Sequence, residues 1–337
     1  MQERVKFSKN LLEVDCAAEV DKICGRMRHL LGNVCHRRGF VVGVSGGIDS
    51  SVSLALSVKA IGAEKVVALQ MPERNSAAET LGLSAEVADC FGVNKFHEDI
   101  TAILEAVRYY QRYDEAVKLV IPEYGVGWKS KIVLPNVTES AGYNIYSVIA
   151  QSPAGDTIKK RLTHEAYLAI VAATNFKQRI RKMVEYYYAD KYNFAVIGTP
   201  NRLEYDQGFF VKLGDGAADV KPIAHLYKSQ VYQLAAFLGV PQSICSRPPT
   251  TDTYSLTQGQ DEFYFSLPYA AMDLCLLGKN LGYTPAEIAP ELGITPAQAE
   301  RVFNDIETKR TTTRYLHLPA LLIDEIPEIC GLRPFGR

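Results

Sequence analysis

The 337-residue chain has no excess of either charge: 37 basic against 38 acidic residues leave a net charge of −1. No bulk electrostatic term therefore draws it to nucleic acid or to an anionic bilayer, and neither is expected as a partner. No apolar run is long enough to span a membrane. The opening MQERVKFSKN is polar and lacks the apolar core of a signal peptide. The seven cysteines (16, 24, 35, 90, 245, 275 and 330) form no C-x-x-C pair, which argues against a zinc site and a disulfide framework. They read as small buried hydrophobes of a reducing, cytoplasmic compartment. What remains is ordinary globular composition, 47% apolar and 22% charged, enough for a sizeable core.

Residues 12–37 carry apolar side chains at helical spacing and end at RRGF. The run FVVGV then reads as a buried strand, followed by a glycine-serine loop and a helix reaching Gly62. A second strand is expected at 65–72, a helix at 77–91, a third strand at 93–100 and a helix at 101–113. Strands alternating with helices predict an α/β fold, a doubly wound and mostly parallel sheet. The pattern breaks at about 114–163, read as an insertion, partly β and partly loop. It resumes with a long helix at 164–190 and a strand at 194–199. A glycine- and aspartate-rich loop is expected over 200–225, a helix at 227–238 and a Pro/Thr loop at 247–260. Helices at 268–278, 284–291 and 295–309 make the C-terminal part helical. No repeat or linker divides the chain, so 1–337 is expected to be a single domain.

The chemistry is concentrated in VVGVSGGIDSS, residues 41–51. A strand end feeding a helix start presents unpaired N–H groups and the positive end of a helix dipole, which is an anion site. Gly46 and Gly47 let the backbone approach an oxygen-rich ligand, and Ser45, Ser50 and Ser51 add hydroxyl donors. Asp49 is out of place beside phosphate unless a divalent cation lies between them, and Mg²⁺ takes both kinds of oxygen. The alternative is a plain strand–helix turn with Asp49 as cap. The loop is not a Walker A loop, since no lysine follows the glycines, nor the dinucleotide fingerprint, which needs a third glycine.

The loop SGGIDSS resembles the pyrophosphatase loop of the N-type ATP pyrophosphatases, whose fold is adenine nucleotide alpha hydrolase-like. Three later stretches are similar, in order and spacing, to the NAD synthetase family: NFKQRIRKM (175–183), the run 197–231 from IGTPNRLEYDQGFF to HLYKSQV, and PPTTDTY…GQDE (248–262). The resemblance covers roughly 40–105 and 164–312. It implies that Asp49 and Glu204 hold Mg²⁺ on the phosphates. ATP would be contacted by Gly43, Val44, Ser45, Gly46, Gly47, Ile48, Asp49, Ser50, Thr199, Lys228 and Thr250. Deamido-NAD would be contacted by Arg179, Lys212, Asp219 and Lys309, and Asp49 and Lys228 would be the catalytic pair. Taken singly, Lys228, Arg179 and Glu204 are the solvated side chains such residues usually are. His225 alone reads as a structural or capping histidine.

The implied reaction is amidation of deamido-NAD to NAD with ammonia, through an adenylated intermediate, releasing AMP and pyrophosphate. Only about 40 residues precede the loop, too few for a glutamine amidohydrolase domain. Ammonia would then be taken free or from a separate glutaminase, and the family pattern implies a homodimer. Two other readings stay open: an amide ligase of the same fold acting on another carboxylate, and a non-catalytic nucleotide-binding protein. Three departures lie mostly on the acceptor side. They are the insertion, Thr308-Lys309 where the family has His-Lys, and TTDTY in place of Thr-Ala-Asp-Leu.

Overall fold

The computed structural model describes residues 5–134, 146–248, 250–251, 253–256, 258–259, 264–265, 267–324 and 326–330. Helix α1 (Cys16–His29) is capped by the Asp15 carboxylate, which accepts the Ala18 N–H. Then come β1 (Phe40–Gly43), α2 (Ile48–Ile61), β2 (Val66–Gln70), α3 (Ala78–Cys90) and β3 (Asn94–His97). The expected helix 101–113 is in fact two, α4 (Thr101–Ala106) and α5 (Tyr109–Lys118). They are separated at Arg108, whose φ of 59° is left-handed and cannot continue a helix.

Three strands form an antiparallel sheet, β4 (Lys129–Val133), β5 (Ser147–Gln151) and β6 (Thr157–Arg161), in the order β4-β5-β6. Helix α6 (His164–Tyr192) follows, capped by Thr163 and stopped by Asn193 in the left-handed region. After it come β7 (Ala195–Ile197) and α7 (Arg202–Gln207). Helix α7 corrects the loop expected over 200–225: Asn201 and Glu204 form a reciprocal capping box and Gly208 closes the helix. The helices that follow are α8 (Lys228–Leu238), α9 (Gln242–Cys245), α10 (Tyr269–Asn280), α11 (Pro285–Leu292), α12 (Pro296–Thr313), which ends in a 3₁₀ turn, Arg314–His317, and the short α13 (Pro327–Cys330). Strands β8 (Thr250–Thr251) and β9 (Gln258–Gly259) make a short ladder between α9 and α10.

The main sheet is parallel, in the order β3-β2-β1-β7. Its central strands are buried on both faces, as parallel strands covered by helices must be. Phe40 and Val42 face a core shared with α1, α2 and α8. Val41 faces a second core with α4, α5, α6 and the inserted sheet's Ile132, Val148 and Ala150. A third core gathers α10–α12 around Phe7 and Leu12. Truncating a fully buried core residue such as Phe40 would cost about 3–5 kcal/mol, so both faces fix where β1 ends and hence where its loop emerges.

Candidate nucleotide and acceptor site

The loop from Val44 to Gly47 leaves β1 between β2 and β7. The Val44 N–H still donates to the Leu69 carbonyl at 2.8 Å, so the turn begins at Ser45. Gly46 has φ +73°, and a side chain there would meet the Thr80 carbonyl oxygen at 2.8 Å. Only glycine fits both demands. Gly47 is the N-cap of α2 and makes no side-chain cap bond, so the plain-turn alternative with Asp49 as cap does not describe this helix. The Ser50 and Ser51 hydroxyls both donate to the Gly47 carbonyl, at 3.0 and 2.9 Å. Ser45 Oγ lies 3.3 Å from Ser50 Oγ and is exposed.

Asp49 points away from α2 into a buried network. Its Oδ2 receives the Lys228 ammonium, and its Oδ1 accepts from Asn201 Nδ2 at 3.1 Å. Lys228 opens α8 and is 2% exposed, where a mobile solvated cation would be the ordinary reading of a lysine at a helix start. Burial works against its charge, but the Asp49 and Glu204 carboxylates outweigh it and hold its pKa above the ordinary lysine value. Glu204 is turned onto the Asn201 N–H at 3.2 Å. Asn201 thus touches both acids of the expected magnesium pair.

The donor set fits a hard cation. Two carboxylates meet at one asparagine beside the glycine-serine loop, and a magnesium site commonly takes one or two carboxylates and leaves the rest to phosphate and water. Among the described residues no group of three or more metal-binding side chains forms, so a cation here would need the phosphates to complete its shell.

Two residues of this network escaped the sequence reading. Asn201 was legible as the first residue of an N-x-x-E capping box. Asp273, on α10, is fully buried and accepts from the Lys228 N–H at 3.3 Å, the Ser229 N–H at 2.7 Å and the Ser229 hydroxyl at 2.7 Å. It caps α8 from another helix, so it holds the residue that reaches Asp49. Burial pushes its carboxyl up to about 6 against those bonds. The available signal was a lone acid among Met272, Cys275 and Leu276 on an apolar helix face.

The acceptor-side residues are placed differently. Arg179 is exposed on α6 and donates Nε to the Lys212 carbonyl at 3.3 Å. Lys212 in turn donates to the Tyr315 carbonyl at 2.9 Å, which brings the 3₁₀ turn onto the loop after α7. Asp219 accepts the Val196 N–H at 2.7 Å and the Tyr186 hydroxyl at 3.3 Å. Lys309 is buried on α12, bonded to Asp305 at 2.6 Å and the Tyr264 carbonyl at 2.7 Å, and away from the other three. Burial lowers its pKa, with Asp305 opposing. Thr199 is half-buried on the turn after β7. The Thr250 side chain and Asp252 lie outside the described residues. His225 binds Glu19 at 2.6 Å, as a structural histidine does.

A second buried pair, also unforeseen, ties the loop after β2 to α6. Lys177 and Glu73 meet at 2.7 Å with side chains 3% and 0% exposed. Tyr110 donates to the same carboxylate at 2.8 Å, and Lys177 also reaches the Thr253 carbonyl at 3.2 Å. The Pro/Thr stretch is thereby anchored next to the sheet's C-terminal edge.

Residues 19–123 and 135–314 match the profile of the NAD synthase family. The chain is 56% identical over 328 residues to an NH(3)-dependent NAD(+) synthetase of Rhizobium meliloti (strain 1021), covering 97% of this chain and 98% of that one. It is 36% identical over 241 residues to the protein of the same name from Thermotoga maritima, covering 71% and 79%. Among solved structures, an NH3-dependent NAD synthetase from Campylobacter jejuni, in complex with nitrate, superposes with a TM-score of 0.59. That match has 21% identity and covers 92% of this chain and 100% of the other, a likeness of fold.

Proposed function

The chain belongs to the NAD synthase family, and from that premise we propose that it joins ammonia to the nicotinate carboxylate of deamido-NAD at the expense of ATP, releasing AMP and pyrophosphate. Relatives sharing more than half of their residues with it carry the name NH(3)-dependent NAD(+) synthetase, which supports this acceptor and this nitrogen donor. The observation that carries the reading is the Asp49–Lys228–Asn201 network at the mouth of β1.

In this reading the acceptor carboxylate attacks the α-phosphorus of ATP and the bond to the β,γ-diphosphate breaks. Ammonia then attacks the acyl carbon, gives up a proton, and AMP leaves. Ser45 and the N–H groups of Gly46 and Gly47 cradle the phosphates. Lys228 places a fixed positive charge where negative charge collects on the leaving group, and burial keeps that charge unscreened. Asn201 orients the Asp49 carboxylate. Asp49 and Glu204 would hold Mg²⁺, which when bound neutralises phosphate charge. Positioning and charge stabilisation suffice, so no nucleophilic side chain is needed.

The same reading makes the chain one catalytic unit with 114–163 as an insertion, acting in the cytoplasm as a homodimer. No helix among the described residues is long and apolar enough to cross a membrane. The test is the purified protein with ATP, Mg²⁺ and ammonium, with and without deamido-NAD, followed for AMP and NAD. Both products should appear together and only with the acceptor present. AMP without NAD, or no dependence on deamido-NAD, would refute the reading.

A further inference from the structure

Among the described residues beside β7, Lys221 is a cation that the network above does not use. It follows the Asp219 loop, and its stem lies across Gly198: a Cβ there would meet Lys221 Cγ at 2.9 Å and Cε at 3.4 Å. Gly198 directly follows β7, and β7 pairs in parallel with β1 in the register Val42↔Ile197. Gly198 is therefore the neighbour of Gly43 across one strand spacing, about 4.8 Å, and Gly43 stands two residues before Ser45. The Lys221 ammonium faces the Tyr205 ring at 5.2 Å, and Tyr205 directly follows Glu204 on α7.

Its neighbours leave it without a counter-charge in contact. Glu185, whose Oε1 would lie 2.8 Å from a Cβ on Gly43, is bonded to Lys182 at 2.5 Å. Asp215 accepts the Val211 N–H at 2.7 Å. Among the described residues no hydrogen bond or ion pair holds the Lys221 ammonium. Burial lowers its pKa, the nearby Lys182 lowers it further, and Asp215 opposes them. A half-buried cation without a carboxylate costs stability, and such a cost at the end of a catalytic strand is a mark of a binding group.

We propose that Lys221 is a specificity-determining residue: its ammonium receives the carboxylate of the acceptor beside the phosphate loop and loses its hold when that carboxylate becomes an amide. The inference rests on the ligase reading above and adds the group that tells substrate from product. Deamido-NAD and NAD share both phosphates and both riboses and differ in one charge at the pyridine ring. A lysine on a phosphate would weaken both ligands alike when removed, whereas a lysine on the carboxylate weakens only the acid.

The experiment is calorimetric binding of deamido-NAD and of NAD, without ATP, to the full chain and to Lys221→Met. The wild type should prefer the acid. The variant should bind deamido-NAD at least tenfold more weakly and NAD within threefold of the wild type, with an unchanged KM for ATP. Lys221→Arg, which keeps the charge, should retain most of the preference. Because the native ammonium is uncompensated, the melting temperature of Lys221→Met should hold or rise. Equal weakening of both ligands, an undiminished acid preference, or a melting temperature lower by several degrees would each overturn the assignment. A wild type that ignores deamido-NAD would overturn the ligase reading and this inference with it.

Discussion

On the phosphate-loop side Lys228 and Asn201 are each bonded to Asp49, with Lys228 2% exposed and Asn201 1% exposed. On the acceptor side Arg179 and Lys212 spend their donors on backbone carbonyls, and among the described residues neither meets a carboxylate. Buried, mutually fixed charges need no rearrangement when charge shifts during a reaction, and water does not screen them. Half-exposed cations on long stems are cheap to move, which suits gripping a large, flexible dinucleotide. In the proposed reaction the phosphate side serves the chemical step and the acceptor side serves recognition.

The largest effect that would break this contrast belongs to Lys228→Met. A buried donor aimed at developing charge is worth about 10²–10³ in kcat, and the Met side chain fills a similar volume. The KM for ATP should move far less, because the loop N–H groups remain. Pyrophosphate release at saturating ATP measures it. A change confined to KM would make Lys228 a ground-state binder and put both sides of the cleft in one class.

The contrast sharpens one layer further back, at Asp273. Its carboxyl is raised to about 6 from an ordinary 3.8. The native state therefore binds more protons than the unfolded chain between those values, and ionised Asp273 costs stability above about pH 6. Stability from this group is present near pH 4 and is lost as pH rises through about 6, a change of about 3 kcal/mol. Asp273→Asn removes that dependence. Urea unfolding of both proteins at pH 4.5 and pH 7 should show the wild type gaining on the variant at the lower pH. A difference equal at both would mean that burial does not perturb this acid.

Asp273 also marks the boundary of what could be read without coordinates. The parallel sheet, its helices and the loop at 44–50 were legible because each is local: apolar strands, a glycine pair and a helix start occupy adjacent positions. Lys228 and Glu204 were legible only through their spacing from the loop. Asp273 lies 45 residues beyond Lys228, and its capping role exists only because α10 packs on α8. The break at Arg108 was hidden for a related reason, since a left-handed arginine carries no sequence signature. Helix α7 was missed although its capping box was in view, because the glycines and aspartates around it read as turn chemistry.

The smallest effect is expected at Lys212→Ala. Lys212 is half-buried, and its ammonium donates to the Tyr315 carbonyl. A charge so close to water contributes at most about 1 kcal/mol to holding an anionic ligand. The KM for deamido-NAD should then rise by about threefold to fivefold, while kcat and the KM for ATP hold. Added salt should narrow the gap between wild type and variant, because the interaction lost is a screened one. Steady-state kinetics at low and high salt reads all of these. A fall in kcat approaching that of Lys228→Met would mean that the 3₁₀ turn tied down by Lys212 orders the reacting groups themselves, and recognition and chemistry would no longer divide between the two sides of the cleft.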